Sequence, residues 1–197
     1  MLRVALSGQR ERLGYGRIDA VPEFGHCHQR AQGARRVAIA WHLIPYHGKP
    51  HRQAKELYHS QPKSGTTKFH AYATACVMEG GYRYTLAATY VWGTESAVTV
   101  LERLLDRVAA TGVDIKMLLL DRQFFDSAVL SFLQSREIPF VVPVVLRGRK
   151  RKPGRPAGGL RTFARRGAGR YAFLWQVSKT KLAVPLTIVV AYKSYRH

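Results

Sequence analysis

Cysteine is nearly absent. The chain has two in 197 residues, Cys27 and Cys76, far apart and with no CxxC pair. That argues against a disulfide framework or a cysteine-built zinc site and fits a reducing compartment. Acidic residues are scarce as well, 12 Asp and Glu against 32 Lys and Arg, and the last of them is Glu137. The final 60 residues therefore contain no carboxylate side chain at all. Long hydrophobic runs are missing too: none approaches the ~20 residues a membrane-crossing helix needs. The opening MLRVALSGQRERLGYGRIDA holds no apolar stretch long enough for a secretory signal. No long basic amphipathic helix points to a membrane surface, and no internal period suggests a solenoid. The expectation is a soluble cytoplasmic chain.

What is present is a core and a large positive charge. Hydrophobic residues make up 46% and aromatics 11%, enough for one folded domain rather than a disordered chain. The net charge is +20 and the isoelectric point is near 10.6. A polyanion is the natural partner for such a balance, because neutralised phosphates release condensed counterions.

The pattern along the chain changes several times. Residues 1–35 are rich in Gly, Arg and His, show no sustained period and are expected to be poorly ordered. VAIAWHLIPY (37–46) is a compact apolar run closed by Pro and Gly, the mark of a buried strand. Residues 47–69 are polar and punctuated and read as a long loop. HAYATACVM and YRYTLAATYVW flank EGG, a hairpin with Gly80 and Gly81 in its turn. Ala97, Leu101, Leu104, Leu105 and Val108 then fall on one helical face, and Gly112 closes that helix. IKMLLLD reads as a short strand covered on both faces. Asp126 stands where an N-cap belongs, ahead of the helix SAVLSFLQSR. IPFVVPVVL follows as a strand made irregular or edge-like by Pro139 and Pro143.

Residues 147–170, RGRKRKPGRPAGGLRTFARRGAGR, hold ten Arg or Lys among Gly and Pro. They read as an extended basic loop or ribbon. YAFLWQV and LAVPLTIVVAY are two further strands. The succession implies a mixed α/β fold, with helices on the faces of a mixed sheet.

This succession, with VAIAWHLIPYHGKP, GTTKFHAYATACVMEGGYRYTLAATYV and MLLLDRQFFDSAVLSFLQSREIPFVVPV inside it, resembles the catalytic core of insertion-sequence transposases of the DDE type. The subgroup it most resembles is the branch named after the fourth insertion sequence. The resemblance implies a ribonuclease-H-like core over residues 36–146, a basic loop over 147–170 and the start of a β-rich insertion over 171–197. It also implies DNA as partner, DNA transposition and recombination as the process, and a nucleoid-associated location. The family's chemistry is phosphodiester hydrolysis and strand transfer with two Mg²⁺ ions held by three carboxylates, one metal activating the attacking oxygen and one stabilising the leaving oxygen.

Asp121 matches the second carboxylate and is the expected catalytic and metal-binding residue. The first-carboxylate position is Ala40, and no acid lies between Glu23 and Glu56 to replace it. The third, a Glu on a late helix, has no counterpart after Glu137. The expectation is thus a truncated, catalytically inactive copy. The alternative is a non-catalytic nucleic-acid-binding protein acting through its basic surface. A homodimer sharing domains is one route by which carboxylates could be supplied from outside the chain.

Arg147, Arg149, Lys150, Arg151, Lys152 and Arg155 are the expected phosphate contacts. Gly154, Arg155 and Pro156 also resemble the core of an AT-hook, but Pro153 stands where that motif has Arg. Non-specific backbone contact is the favoured reading, because phosphate contacts dominate such binding. His26, Cys27 and His28 are too loosely spaced from other ligands for a zinc tetrahedron.

Overall fold

The computed structural model describes residues 2–5, 33–49, 54–177 and 182–192. Two compact units divide the chain, residues 10–118 and residues 1–9 with 119–197.

In the first unit, β2 (Gly33–Pro45) pairs antiparallel with β4 (Thr66–Glu79) through an unbroken register from Val37↔Val77 to Pro45↔Phe69. β4 turns through Gly80 and Gly81 into β5 (Tyr82–Val91), as the EGG signal implied. Their register shifts once, between Ala75 and Cys76. β2 also neighbours β6 (Val113–Leu120), and with β3 (Tyr58–Lys63) the order is β3-β4-β2-β6, β5 lying on β4.

One expectation fails here. Residues 47–69 are not a long loop: they contain a 3-10 turn at Ala54–Glu56, β3 (Tyr58–Lys63) and the first residues of β4. β3 escaped notice because its residues, YHSQPK, are polar and half-buried at most. The turn was legible. Ser64 and Gly65 both have positive φ (51° and 76°), the conformation a two-residue hairpin turn requires.

Helix α1 (Ala97–Ala109) packs on β4 and β5 and buries Val100, Leu101, Leu104 and Val108. Ser96 caps it, its side chain accepting from the Thr99 N–H at 3.1 Å. Arg103, from the helix's middle, donates to both oxygens of Glu95 at 2.7 and 2.9 Å and to the Tyr90 carbonyl at 2.9 Å. One guanidinium thus holds helix and β5 together.

In the second unit, β7 (Phe140–Pro143) pairs antiparallel with β1 (Leu2–Ala5). β1 pairs in turn with β9 (Leu182–Val190), and β9 with β8 (Gly169–Val177). The strand at residues 2–5 departs from the expectation of weak order over 1–35, while residues 6–32 lie outside the described residues. β7 is shorter than IPFVVPVVL suggested and pairs with β1. Helix α2 (Ser127–Ser135) rests on β9, with the Gln134 amide donating to the Pro185 carbonyl at 2.7 Å. The class is the expected one, mixed α/β with a mixed sheet. Among the described residues no helix is long and apolar enough to cross a membrane.

Candidate nucleic-acid interface

The two acids of KMLLLDRQFFD take different positions. Asp126 is the N-cap of α2, in extended backbone (φ −134°, ψ 145°), and its carboxylate accepts from the Ala128 N–H at 2.9 Å. Asp121 directly follows the last residue of β6 and is half-buried. It precedes a 3-10 turn (Arg122–Phe124), and its side chain makes no capping bond there. Buried Phe124 and Phe125 fix this strand exit.

Ala40 lies on β2 opposite Thr74 of β4, in the other unit from Asp121. Its neighbours Ile39 and Trp41 are buried, so Ala40 shares the opposite face with exposed His42. Its methyl group offers a metal no donor atom. Among the described residues no three His, Cys, Asp or Glu side chains come together where they could hold a metal ion. The carboxylates among the described residues do not gather into a two-metal centre.

The histidines here have other work. His42 Nε2 lies 3.0 Å from the Thr74 hydroxyl, and His70 Nδ1 lies 3.1 Å from the Tyr90 hydroxyl. The 26–28 triplet lies outside the described residues.

The basic segment is more ordered than a loop. Lys152 and Arg155 exchange two backbone hydrogen bonds, each 3.0 Å, across Pro153 and Gly154. Gly154 has φ +69°, and Pro followed by Gly suits the centre of a type II turn. Further down, the Gly158 N–H donates to the Arg149 carbonyl at 3.1 Å, closing the base of a hairpin. Gly148 lies against this base, and a Cβ there would meet the Gly158 carbonyl oxygen at 2.3 Å, so only glycine fits.

A 3-10 helix (Gly159–Arg165) follows, contrary to the expectation that composition disfavours helix throughout 147–170. Its apolar side chains explain it. Leu160 and Phe163, three residues apart and therefore on one face of a 3-10 turn, are 2% and 4% exposed. Phe163 meets Phe173 of β8 edge-on, with centroids 5.5 Å apart. The polar face of the same turn carries Arg161 and Arg165.

Hairpin and 3-10 helix enclose a groove of about 980 Å³. Lys150, Arg151, Lys152 and Arg155 line it from the hairpin, and Arg161 and Arg165 from the helix. No acidic side chain lines it, and among the described residues none of the six is ion-paired.

Four of the six residues expected at phosphates thus converge on one groove. The other two are held elsewhere. Arg147 sits over the Trp175 ring at 5.7 Å and reaches the Phe125 carbonyl at 3.4 Å. Arg149 donates through Nε to the Pro156 carbonyl at 3.1 Å. Sequence reasoning missed Arg161 and Arg165. The available signal was the Leu160–Phe163 spacing, which turns both arginines to the outer side of one turn.

Comparison with known proteins bears on most of the chain. A family model described as transposase DDE domain matches residues 31–184. Among solved structures the chain is similar to a piggyBac transposase synaptic complex with hairpin DNA, at 14% identity and a TM-score of 0.42. That similarity covers 80% of this chain and 33% of the other, so the chain spans about a third of that transposase's length. No significant match is found among curated proteins.

Proposed function

Because the chain belongs to the transposase DDE-domain family, whose model spans residues 31–184, we propose that it is a DNA-binding chain of transposition that grips DNA through its basic segment and does not cut it unaided. The insertion-sequence branch named after the fourth insertion sequence is the subgroup this reading assigns. The observation that carries the DNA contact is the acid-free groove lined by six cations. Like charges held together in this way repel one another, and a phosphodiester backbone relieves that repulsion while releasing its counterions. Arg147 and Arg149 belong to the same basic segment but are held by Trp175 and the Pro156 carbonyl.

The catalytic part of the reading rests on donor chemistry. A two-metal displacement needs carboxylates that bridge and flank two ions ~3.5–4 Å apart. Asp121 is the one residue here that matches such a position, and Ala40 occupies another. Among the described residues, no three His, Cys, Asp or Glu side chains gather where they could hold the Mg²⁺ used in the family's chemistry. Further carboxylates would have to join Asp121 before it could act as a ligand in catalysis.

The test of DNA contact is a binding titration. Replacing Arg147, Arg149, Lys150, Arg151, Lys152 and Arg155 together by Gln should weaken duplex binding by at least ~10²-fold near 0.1 M salt, because four of the six line the groove as phosphate contacts. Affinity equal to that of the unaltered chain would sink the reading.

A further inference from the structure

Among the described residues, the hairpin and the 3-10 helix carry two kinds of basic side chain, which the sequence does not distinguish. Arg149 and Arg161 spend Nε–H groups on the segment's own backbone, donating to the Pro156 carbonyl at 3.1 Å and the Gly148 carbonyl at 3.0 Å. These bonds hold hairpin and 3-10 helix in one shape. Lys150, Lys152, Arg155 and Arg165 make no such side-chain bond among the described residues, and each lines the groove.

The rest of the lining indicates what fits. Leu146, Pro153, Pro156, Ala157 and Ala164 make its walls apolar. A site for a bare inorganic anion would have no use for such walls, whereas deoxyribose presents carbon to its surroundings between successive phosphates. A volume of about 980 Å³ lies near the top of the usual ~300–1,000 Å³ range for ligand sites, more than one phosphate group requires. The lining includes no Asn, Gln, Asp or Glu, the side chains that read adenine and cytosine edges. Adenine and cytosine edges thus find no reader, and the Arg and Lys side chains serve phosphates on any sequence, guanine being the one base they could also read.

We infer that the groove is a track for one strand's sugar–phosphate backbone, with Arg165 joining Lys150, Lys152 and Arg155 as a phosphate ligand, and with Arg149 and Arg161 as positioning residues that set its shape. The inference rests on the DNA-binding reading above and adds to it a residue outside the 147–155 cluster, a ligand moiety and a division of labour.

Fluorescence anisotropy with the full chain and two labelled duplexes of unrelated sequence, from 50 to 200 mM salt, tests it. Arg165→Gln should lower the log–log salt slope by about one on both duplexes, and Arg165→Lys should restore it. Arg149→Lys keeps its charge but loses the bond to Pro156, so it should weaken binding at every salt concentration and leave the slope unchanged. If the unaltered chain binds and Arg165→Gln keeps its slope, the groove assignment is overturned while the DNA reading stands. A slope change on one duplex alone overturns the backbone assignment in favour of a base contact. Absence of binding by the unaltered chain overturns both.

Discussion

Asp121 and Asp126 stand five residues apart, and their surroundings separate them. Asp126 offers its carboxylate to an orphan N–H at the start of α2, so Asp126→Ala should cost about 1 kcal/mol of stability. Asp121 makes no capping bond and is only half-buried, so Asp121→Ala should change stability by less than about 0.5 kcal/mol. Urea unfolding of the two variants checks both, and a larger loss from Asp121→Ala would mean that its carboxylate has a structural partner. The sequence made the cap legible, since an acid just before an apolar helical stretch has a local reason to be there. The roles of individual arginines were not legible. Arg147 and Arg149 look like Lys150 and Arg151 in a linear text, and only the fold turns two of them toward Trp175 and the Pro156 carbonyl.

Elements were readable wherever one side is apolar and the other is not. The β4–β5 hairpin, α1, β6 and α2 all came from local period and punctuation. β3 and the 3-10 helix at Gly159–Arg165 did not, for opposite reasons: β3 lacks a buried face, and the apolar pair of the 3-10 helix is submerged in basic residues. The α1 face was nearly right, except that Val100 is buried and Leu105 only half-buried. The contact between α1 and β5 carries a pH prediction. The Arg103 guanidinium, by hydrogen bonding, holds the Glu95 carboxyl below its ordinary value of 4.5, against the opposing effect of burial. A carboxylate depressed on folding stabilises the fold above its unfolded pKa, and that contribution fades as pH falls through the folded value. Glu95→Gln should therefore lower the urea midpoint at pH 7, and the gap from the unaltered chain should close as pH drops below the ordinary value of 4.5. A gap that stays constant over that range would assign the effect to packing rather than to charge.

At the scale of the whole chain, charge is the dominant fact. The +20 balance is concentrated by an acid-free stretch of 60 residues, and the fold gathers part of it into one groove. Composition alone pointed to a polyanion, and the strand–Asp–helix text pointed to the transposase family. Neither could locate the groove, which depends on a hairpin and a 3-10 helix packing together. The central proposal joins these observations: the chain grips DNA through this charge and does not cut it unaided, and its described residues gather no metal-ligand set. Nicking of supercoiled plasmid, with Mg²⁺ or Mn²⁺ and in parallel for the unaltered chain and Asp121→Ala, tests it most directly. The account predicts DNA binding in both samples and no metal-dependent nicking above background in either. Metal-dependent nicking by the unaltered chain that disappears in Asp121→Ala would contradict it.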